Sequence, residues 1–455
     1  RVRRALIERE VLLKAMPHIS WPMRFVLPYH KDMRFEGDTP TSKLLTLFMP
    51  WMKGRRPAWL VRLGLFLYDT LGGREILPGT ETVALKNAPE GASLKGKFTK
   101  AYEYSDCWIE DSRLVVLNAR DAAARGAEII VRTKVISGTR VGNEWWLDLS
   151  DGRSVTARAV VNAGGPWVEG VLKGVLRRNA QDGVRLVRGS HIVVPKLYDH
   201  GRCYFFQGQD GRIIFAIPYE EDFTLIGTTD ADHPDPETKP VCTEEEQDYL
   251  VDFASNYFEK PVSRDQIVWT YSGVRPLYDD GASSASAATR EYVLTLDQTQ
   301  APLLNVFGGK ITTYRKLAEA ALAKIGEAFP DLSDNWTAGV PLPGGDFPVE
   351  DVAKLRDRLA RDYPFLTPYA VRRLLRAYGT EAWDLLSDAK GEADLGQSFG
   401  ATITARELDW AITREWVRSG EDYLWRRTKL GLRLNEAERA AVDTYIRDRA
   451  ARLAA

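Results

Sequence analysis

Short apolar runs broken by polar turns fill the first two thirds of the chain, and helical spacing takes over in the last third. Ala5, Leu6, Leu12 and Leu13 recur among charges ahead of Met16-Pro17, which predicts a helix over residues 1–20. A second helix begins at about Asp111 within residues 104–125. Gly126 ends it, and a strand is expected over 128–133. Residues 144–149 and 154–162 read as a hairpin across Ser150-Asp151-Gly152. Residues 184–195, 203–206, 212–218 and 223–228 then read as short strands, with turns at Asp210-Gly211 and Glu220-Glu221-Asp222. Thr243 and Glu246 have the spacing of a capping box for a helix with Tyr249, Leu250, Phe253 and Tyr257 on one face. Residues 269–274 return as a strand and 303–307 as a short buried one. Leu317, Ala320, Ala321 and Ile325 follow at helical spacing. Beyond Pro341-Leu342-Pro343-Gly344-Gly345 the apolar positions, from Leu355 and Leu359 to Leu408 and Ile412, are almost purely helical.

This order predicts an α/β protein. Residues 1–183 carry the helix, strand, meander and strand of the second half of a dinucleotide-binding domain. Residues 184–300 form an inserted antiparallel-sheet domain for substrate, residues 301–330 supply a closing strand and helix, and residues 345–455 form a helical cap. No internal repeat or low-complexity tract is found.

Composition narrows the function classes. With 62 basic and 63 acidic residues among 455, the chain is near neutral, which does not favour a nucleic-acid role. Cys107, Cys203 and Cys242 are scattered, fitting inert thiols in a reducing compartment, and the five histidines show no metal-ligand spacing. No window reaches the roughly 18 apolar residues of a spanning helix. Residues 51–71 mix arginines with Trp51, Trp59 and Tyr68. They read either as an interfacial membrane helix or as a core helix packed on its own domain.

Candidate chemistry concentrates at Phe307-Gly308-Gly309-Lys310-Ile311-Thr312-Thr313-Tyr314, where a strand runs into a helix. Glycines there let a ligand approach the backbone, and the helix start favours an anion. The same stretch also reads as a tight turn, with a solvated lysine and Thr312 as the N-cap. Two further segments stand out: Tyr271-Ser272-Gly273-Val274-Arg275-Pro276-Leu277 and Val160-Val161-Asn162-Ala163-Gly164-Gly165-Pro166-Trp167. Together with Glu8-Arg9-Glu10-Val11-Leu12-Leu13, Tyr104-Ser105-Asp106-Cys107-Trp108, Arg188-Gly189-Ser190-His191, Ile226-Gly227-Thr228-Thr229-Asp230 and Leu424-Trp425-Arg426-Arg427-Thr428-Lys429, they resemble the FAD-dependent respiratory glycerol-3-phosphate dehydrogenases. That family lies within the D-amino-acid-oxidase-like flavoproteins, and the resemblance runs along almost the whole chain.

The resemblance implies FAD as cofactor and oxidation of sn-glycerol 3-phosphate to dihydroxyacetone phosphate, with electrons passed to a quinone in glycerol catabolism. It further implies a cytoplasmic or inner-face peripheral location and a homodimer. Family members open with a Gly-x-Gly-x-x-Gly turn for the ADP half of FAD. That fingerprint is not found here, so a chain lacking its first βαβ unit, about 60 residues, is expected. Such a chain alone would bind FAD poorly.

By position in the family pattern, Arg275 is the clamp for phosphate or the C2 oxygen, with an ion pair to Asp279 or Asp280 as the structural alternative. Lys310 would stabilise substrate oxygen or reduced flavin. His191 is a candidate base or proton relay, or else a packed strand histidine. Gly308, Gly309, Ile311 and Thr312 would meet the flavin through the backbone; Ala163, Gly164 and Trp167 the ribityl and pyrophosphate; Val135 the adenine. Thr228, Thr229 and Asp230 would shape the substrate floor or form only a turn. Arg426, Arg427 and Lys429 form a solvated basic face or reach towards the site or anionic lipid. Rival readings are a glycerol-3-phosphate oxidase using oxygen, another flavin amine or hydroxy-acid oxidase, and an inactive FAD-poor fragment.

Overall fold

The structure, a computed structural model, describes residues 2–30, 58–71, 75–179, 182–208, 212–279 and 291–454. It divides into two compact units. One holds Arg1–Ala5, Arg24–Ser105 and Arg132–Asn335; the other holds Leu6–Met23, Asp106–Val131 and Trp336–Ala455.

The first unit is built on a nine-stranded mixed sheet. Its strands are β1 (Ser20–Tyr29), β2 (Glu81–Ala84), β3 (Lys100–Ile109), and then, after four strands that lie in other sheets, β8 (Val184–Pro195), β9 (Cys203–Gln207), β10 (Ile213–Tyr219), β11 (Phe223–Gly227), β12 (Ala231–Asp232) and β13 (Trp269–Tyr278). The long strand β8 organises one end. β11 and β12 pair antiparallel along one of its edges and β13 along the other. Strands 8 to 11 form where the apolar runs place them. The tight turn between β10 and β11 holds Glu220 and Glu221 at positive φ. β13 extends to Tyr278, so Arg275 lies inside this strand rather than at its end. Pro276 is tolerated because, among the described residues, β13 pairs only with β8, and its other edge carries no ladder. Helix α4 (Glu244–Ser255), opened by the Thr243–Glu246 capping box, packs Leu250, Phe253 and Ala254 against Ile192, Phe206, Ile214 and Ile226 of the sheet.

Two small sheets complete this unit. β4 (Val135–Val141), β5 (Glu144–Leu149) and β6 (Ser154–Ala157) form a meander. β7 (Val160–Asn162) runs parallel to β15 (Leu303–Phe307), which pairs with β14 (Val293–Asp297). The stretch expected as one strand over 154–162 is therefore two, serving different sheets. Residues 128–133 are not a strand: Arg132 takes a left-handed φ of 57°, which breaks extended backbone. Helix α2 (Ala58–Leu71) packs Val61 and Leu65 beside Leu27 and Tyr102, and Asp69 accepts the Thr80 N–H at 2.7 Å. Residues 51–57, the first part of the candidate membrane segment, lie outside the described residues.

The second unit is helical. It contains most of α1 (Val2–Ala15), then α3 (Asp111–Ala124), α6 (Val352–Asp362), α7 (Pro368–Tyr378), α8 (Ala382–Leu386), α9 (Ala405–Arg414) and α10 (Glu436–Ala454). Thr367 and Thr404 cap α7 and α9 through their side-chain oxygens. Two apolar clusters hold these helices, one around Leu374, Tyr378 and Leu386, the other around Leu408, Ile412 and Tyr423. Buried ion pairs join them: Arg113 to Glu415 at 2.7 Å and Arg373 to Glu407 at 2.7 Å. In the basic run, Arg427 donates to the Glu415 carbonyl at 2.6 Å and Arg426 pairs with Glu421 at 3.0 Å.

Candidate active site

The register of β8 and β13 sorts their residues onto two faces. His191 lies opposite Tyr271, Gly189 opposite Gly273, and Val187 opposite Arg275. These six share one face, because side chains alternate along a strand. The reverse face carries Arg188, Ser190 and Ser272, and it is locked. Ser190 donates to Glu246 at 3.0 Å, Thr229 donates to it at 2.7 Å, and Arg188 donates at 3.0 Å. Burial opposes the Glu246 charge, yet the Thr243 N–H, the two hydroxyls and Arg188 together hold its carboxyl below the usual range.

On the open face, Arg275 donates to Asp230 Oδ1 at 2.6 Å and to Thr228 Oγ1 at 3.1 Å. Its structural partner is thus Asp230, not Asp279, while Asp280 lies outside the described residues. The guanidinium rests on Gly189, where any Cβ would collide with it. His191 stacks on Tyr271 with ring centroids 4.8 Å apart and planes 7° from parallel. Its other neighbour, Gly227, has no Cβ to displace the ring. The Nδ1 atom is buried and has no hydrogen-bond partner among the described residues. Burial, helped by the Arg275 charge, pushes the imidazole pKa down to about 4. His191 is therefore neutral at pH 7 and has a ring nitrogen to offer.

The glycine-rich motifs lie at the carboxyl ends of β7 and β15, where parallel α/β sheets take their ligands. Asn162 Nδ2 donates to Asn305 Oδ1 at 3.0 Å and to the Val168 carbonyl at 2.9 Å, fixing the turn between them. That turn, Gly165–Trp167, lies against β13. Gly308, with φ of 72°, sits so close to β13 that a Cβ would come within 3.2 Å of the Tyr278 nitrogen. These contacts bring both motifs beside the strand that bears Arg275. Lys310 is exposed and has no ion pair among the described residues. A short turn, Ile311–Thr313, comes before α5 (Tyr314–Ile325), so Thr313 and not Thr312 is the N-cap, and no side chain closes that helix start. Val135 is elsewhere, opening β4 opposite Leu149.

The residues fit FAD. Ala163, Gly164, Gly308 and Gly309 expose backbone with little side chain, Trp167 (46% exposed) and Ile311 (45%) offer apolar surface, and the uncapped start of α5 suits negative charge. Among the described residues no group of His, Cys, Asp and Glu could hold a metal ion. The thiols are held protonated by burial, Cys242 being pushed up to about 11. Sequence alone missed Asp230 as the partner of Arg275 and Tyr271 as the platform for His191. Pairing Gly189 with Gly273 would have found the second.

The FAD dependent oxidoreductase family matches residues 1–315, and the C-terminal domain of alpha-glycerophosphate oxidase matches residues 335–453. The chain is 45% identical over 97% of its length to D-erythritol 1-phosphate dehydrogenase of Brucella abortus, covering 84% of that protein. It is 43% identical over 98% of its length to glycerol-3-phosphate dehydrogenase of Pseudomonas aeruginosa, covering 83%. It is also 41% identical over 98% of its length to the aerobic glycerol-3-phosphate dehydrogenase of Escherichia coli, covering 85%. The fold matches glycerol-3-phosphate dehydrogenase of Bacillus halodurans complexed with FAD, with a TM-score of 0.70 at 22% identity over 97% of this chain and 84% of that one. With glycine turns that fit a flavin and a family match over most of its length, the chain belongs to the FAD dependent oxidoreductases and takes FAD as its cofactor.

Proposed function

We propose that the chain oxidises sn-glycerol 3-phosphate to dihydroxyacetone phosphate. The observation that carries this reading is the open face of β8 and β13, where an exchangeable guanidinium and a neutral imidazole flank a glycine floor. FAD, when bound, would supply the hydride acceptor for this oxidation, with a quinone as the final acceptor of the electron pair. Arg275 leaves Asp230 and grips the phosphate with its planar fork. His191 takes the C2 hydroxyl proton on its imidazole. Burial depresses the imidazole first and the Arg275 charge second; phosphate beside Arg275 offsets the second of these, so substrate binding strengthens the base. Lys310 supplies positive charge near the developing carbonyl oxygen. The relatives named as glycerol-3-phosphate dehydrogenases, at 41% and 43% identity, support the same substrate.

A second reading, D-erythritol 1-phosphate, is favoured by the Brucella relative at 45% identity. Dye reduction by the FAD-loaded protein with glycerol 3-phosphate, D-erythritol 1-phosphate and free glycerol tests both. Equal turnover of free glycerol sinks the phosphate clamp. Peroxide release on substrate addition would replace the quinone with oxygen.

Membrane contact belongs to the same proposal. Trp59 (58% exposed), Leu63 (45%), Phe66 (52%) and Leu67 (49%) share one face of α2, opposite the packed Val61 and Leu65. Among the described residues no helix is long and apolar enough to cross a membrane. Flotation with anionic liposomes should fall when Trp59, Phe66 and Leu67 are replaced by Ser; unchanged flotation rejects α2 as the contact.

A further inference from the structure

Three glycines lie on or beside the open face, and their reasons differ. At Gly189 a Cβ would collide with the Arg275 guanidinium, and at Gly227 with the His191 ring, so the protein's own side chains require glycine there. Gly273 is unlike both: a Cβ built on it meets nothing within 4 Å, and its φ lies outside the region where side chains are strained. Neither packing nor backbone conformation calls for glycine at this position. It stands between Tyr271 and Arg275 on the same face, two residues from each, which is about 7 Å either way along the strand. On the same face the His191 ring lies against Tyr271, and its Nδ1 has no hydrogen-bond partner among the described residues.

We propose that Gly273 sets the length of polyol phosphate the site accepts, its missing side chain lodging the carbinol that a four-carbon substrate has beyond a three-carbon one. This rests on the phosphorylated-polyol reading above. With the phosphate on Arg275 and the reacting carbinol beside His191, the part of the floor left uncovered next to them is the space over Gly273. Relatives acting by name on three-carbon and on four-carbon phosphates stand at 43% and 45% identity, so both lengths belong to this scaffold.

The test compares the FAD-loaded parent with Gly273→Ala, measuring kcat/KM for glycerol 3-phosphate and D-erythritol 1-phosphate, together with calorimetric Kd for each. A methyl group intruding on a fitted substrate is worth roughly 10-fold or more in discrimination. The parent is expected to use both, and Gly273→Ala to lose at least about tenfold on the four-carbon substrate relative to the three-carbon one, with its thermal midpoint unchanged. Gly189→Ala, which displaces the guanidinium, should weaken both equally. A ratio within twofold of the parent's, or a parent that rejects D-erythritol 1-phosphate while using glycerol 3-phosphate, overturns the role of Gly273 and leaves the phosphate reading standing. A parent that uses neither phosphate but oxidises an unphosphorylated polyol overturns both.

Discussion

Two arginines of this protein hold their carboxylates in opposite settings. In the helical unit, Arg373 meets Glu407 through two parallel bonds of 2.7 Å, with Tyr378 donating to the same carboxylate at 2.9 Å. Both partners are nearly sealed, the side chains being 10% and 1% exposed. On the open face of the sheet unit, Arg275 holds Asp230 by one short bond, with side chains 36% and 40% exposed. A sealed pair cannot part without leaving a charge in the core, whereas a wet pair can trade its carboxylate for a phosphate. Burial, more than contact distance, separates a structural arginine from one free to bind a ligand.

That contrast can be broken most severely at the sealed pair. Arg373→Ala leaves Glu407 charged and unpaired, and should cost about 3–5 kcal/mol of unfolding free energy in a urea titration. Arg275→Ala should scarcely move the unfolding midpoint. It should instead lower kcat/KM for the phosphorylated substrate by about 2–3 kcal/mol, roughly 30- to 150-fold. If Arg275→Ala destabilises the fold as much as Arg373→Ala does, the distinction is lost.

Acid sharpens the comparison further. His18 in the helical unit is pushed down to about 3 by burial and the nearby Arg113, Arg376 and Arg120; His191 is pushed down to about 4. Both are depressed below the unfolded value of about 6.5, so between those limits the unfolded chain binds the extra protons. Stability contributed by the neutral imidazoles is complete above pH 6.5 and drains away as pH falls, to pH 4 for His191 and pH 3 for His18. Saturating glycerol 3-phosphate should move the His191 titration upward, read by NMR, and leave that of His18 in place. The smallest expected effect is that of Asp230→Asn: freeing Arg275 of its resident carboxylate should lower KM a few-fold with kcat little changed.

Legibility in the sequence followed exposure. β8, the β10–β11 turn and the Thr243–Glu246 box were readable because period-two patterning and capping chemistry are local. β1 and β3 were not, since much of each is buried on both faces and alternation fails; Phe25, Val26 and Leu27 are all buried in succession. Residues 128–133 had a strand's composition, but Arg132 turns the chain out of it. At the candidate site, the glycine motifs announced themselves as backbone opened to a ligand. The grouping of His191 with Tyr271, and of Arg275 with Asp230, depends on strand register and on residues 45 apart, which no local pattern encodes.

One carboxylate behind the site has a mechanical consequence. Because Glu246 both closes the first turn of α4 and anchors Ser190, Thr229 and Arg188, fraying of that helix and slippage of the strand beneath it are a single event. A rivet of this kind keeps the strand that carries Gly189 and His191 stiff beneath the Arg275 guanidinium.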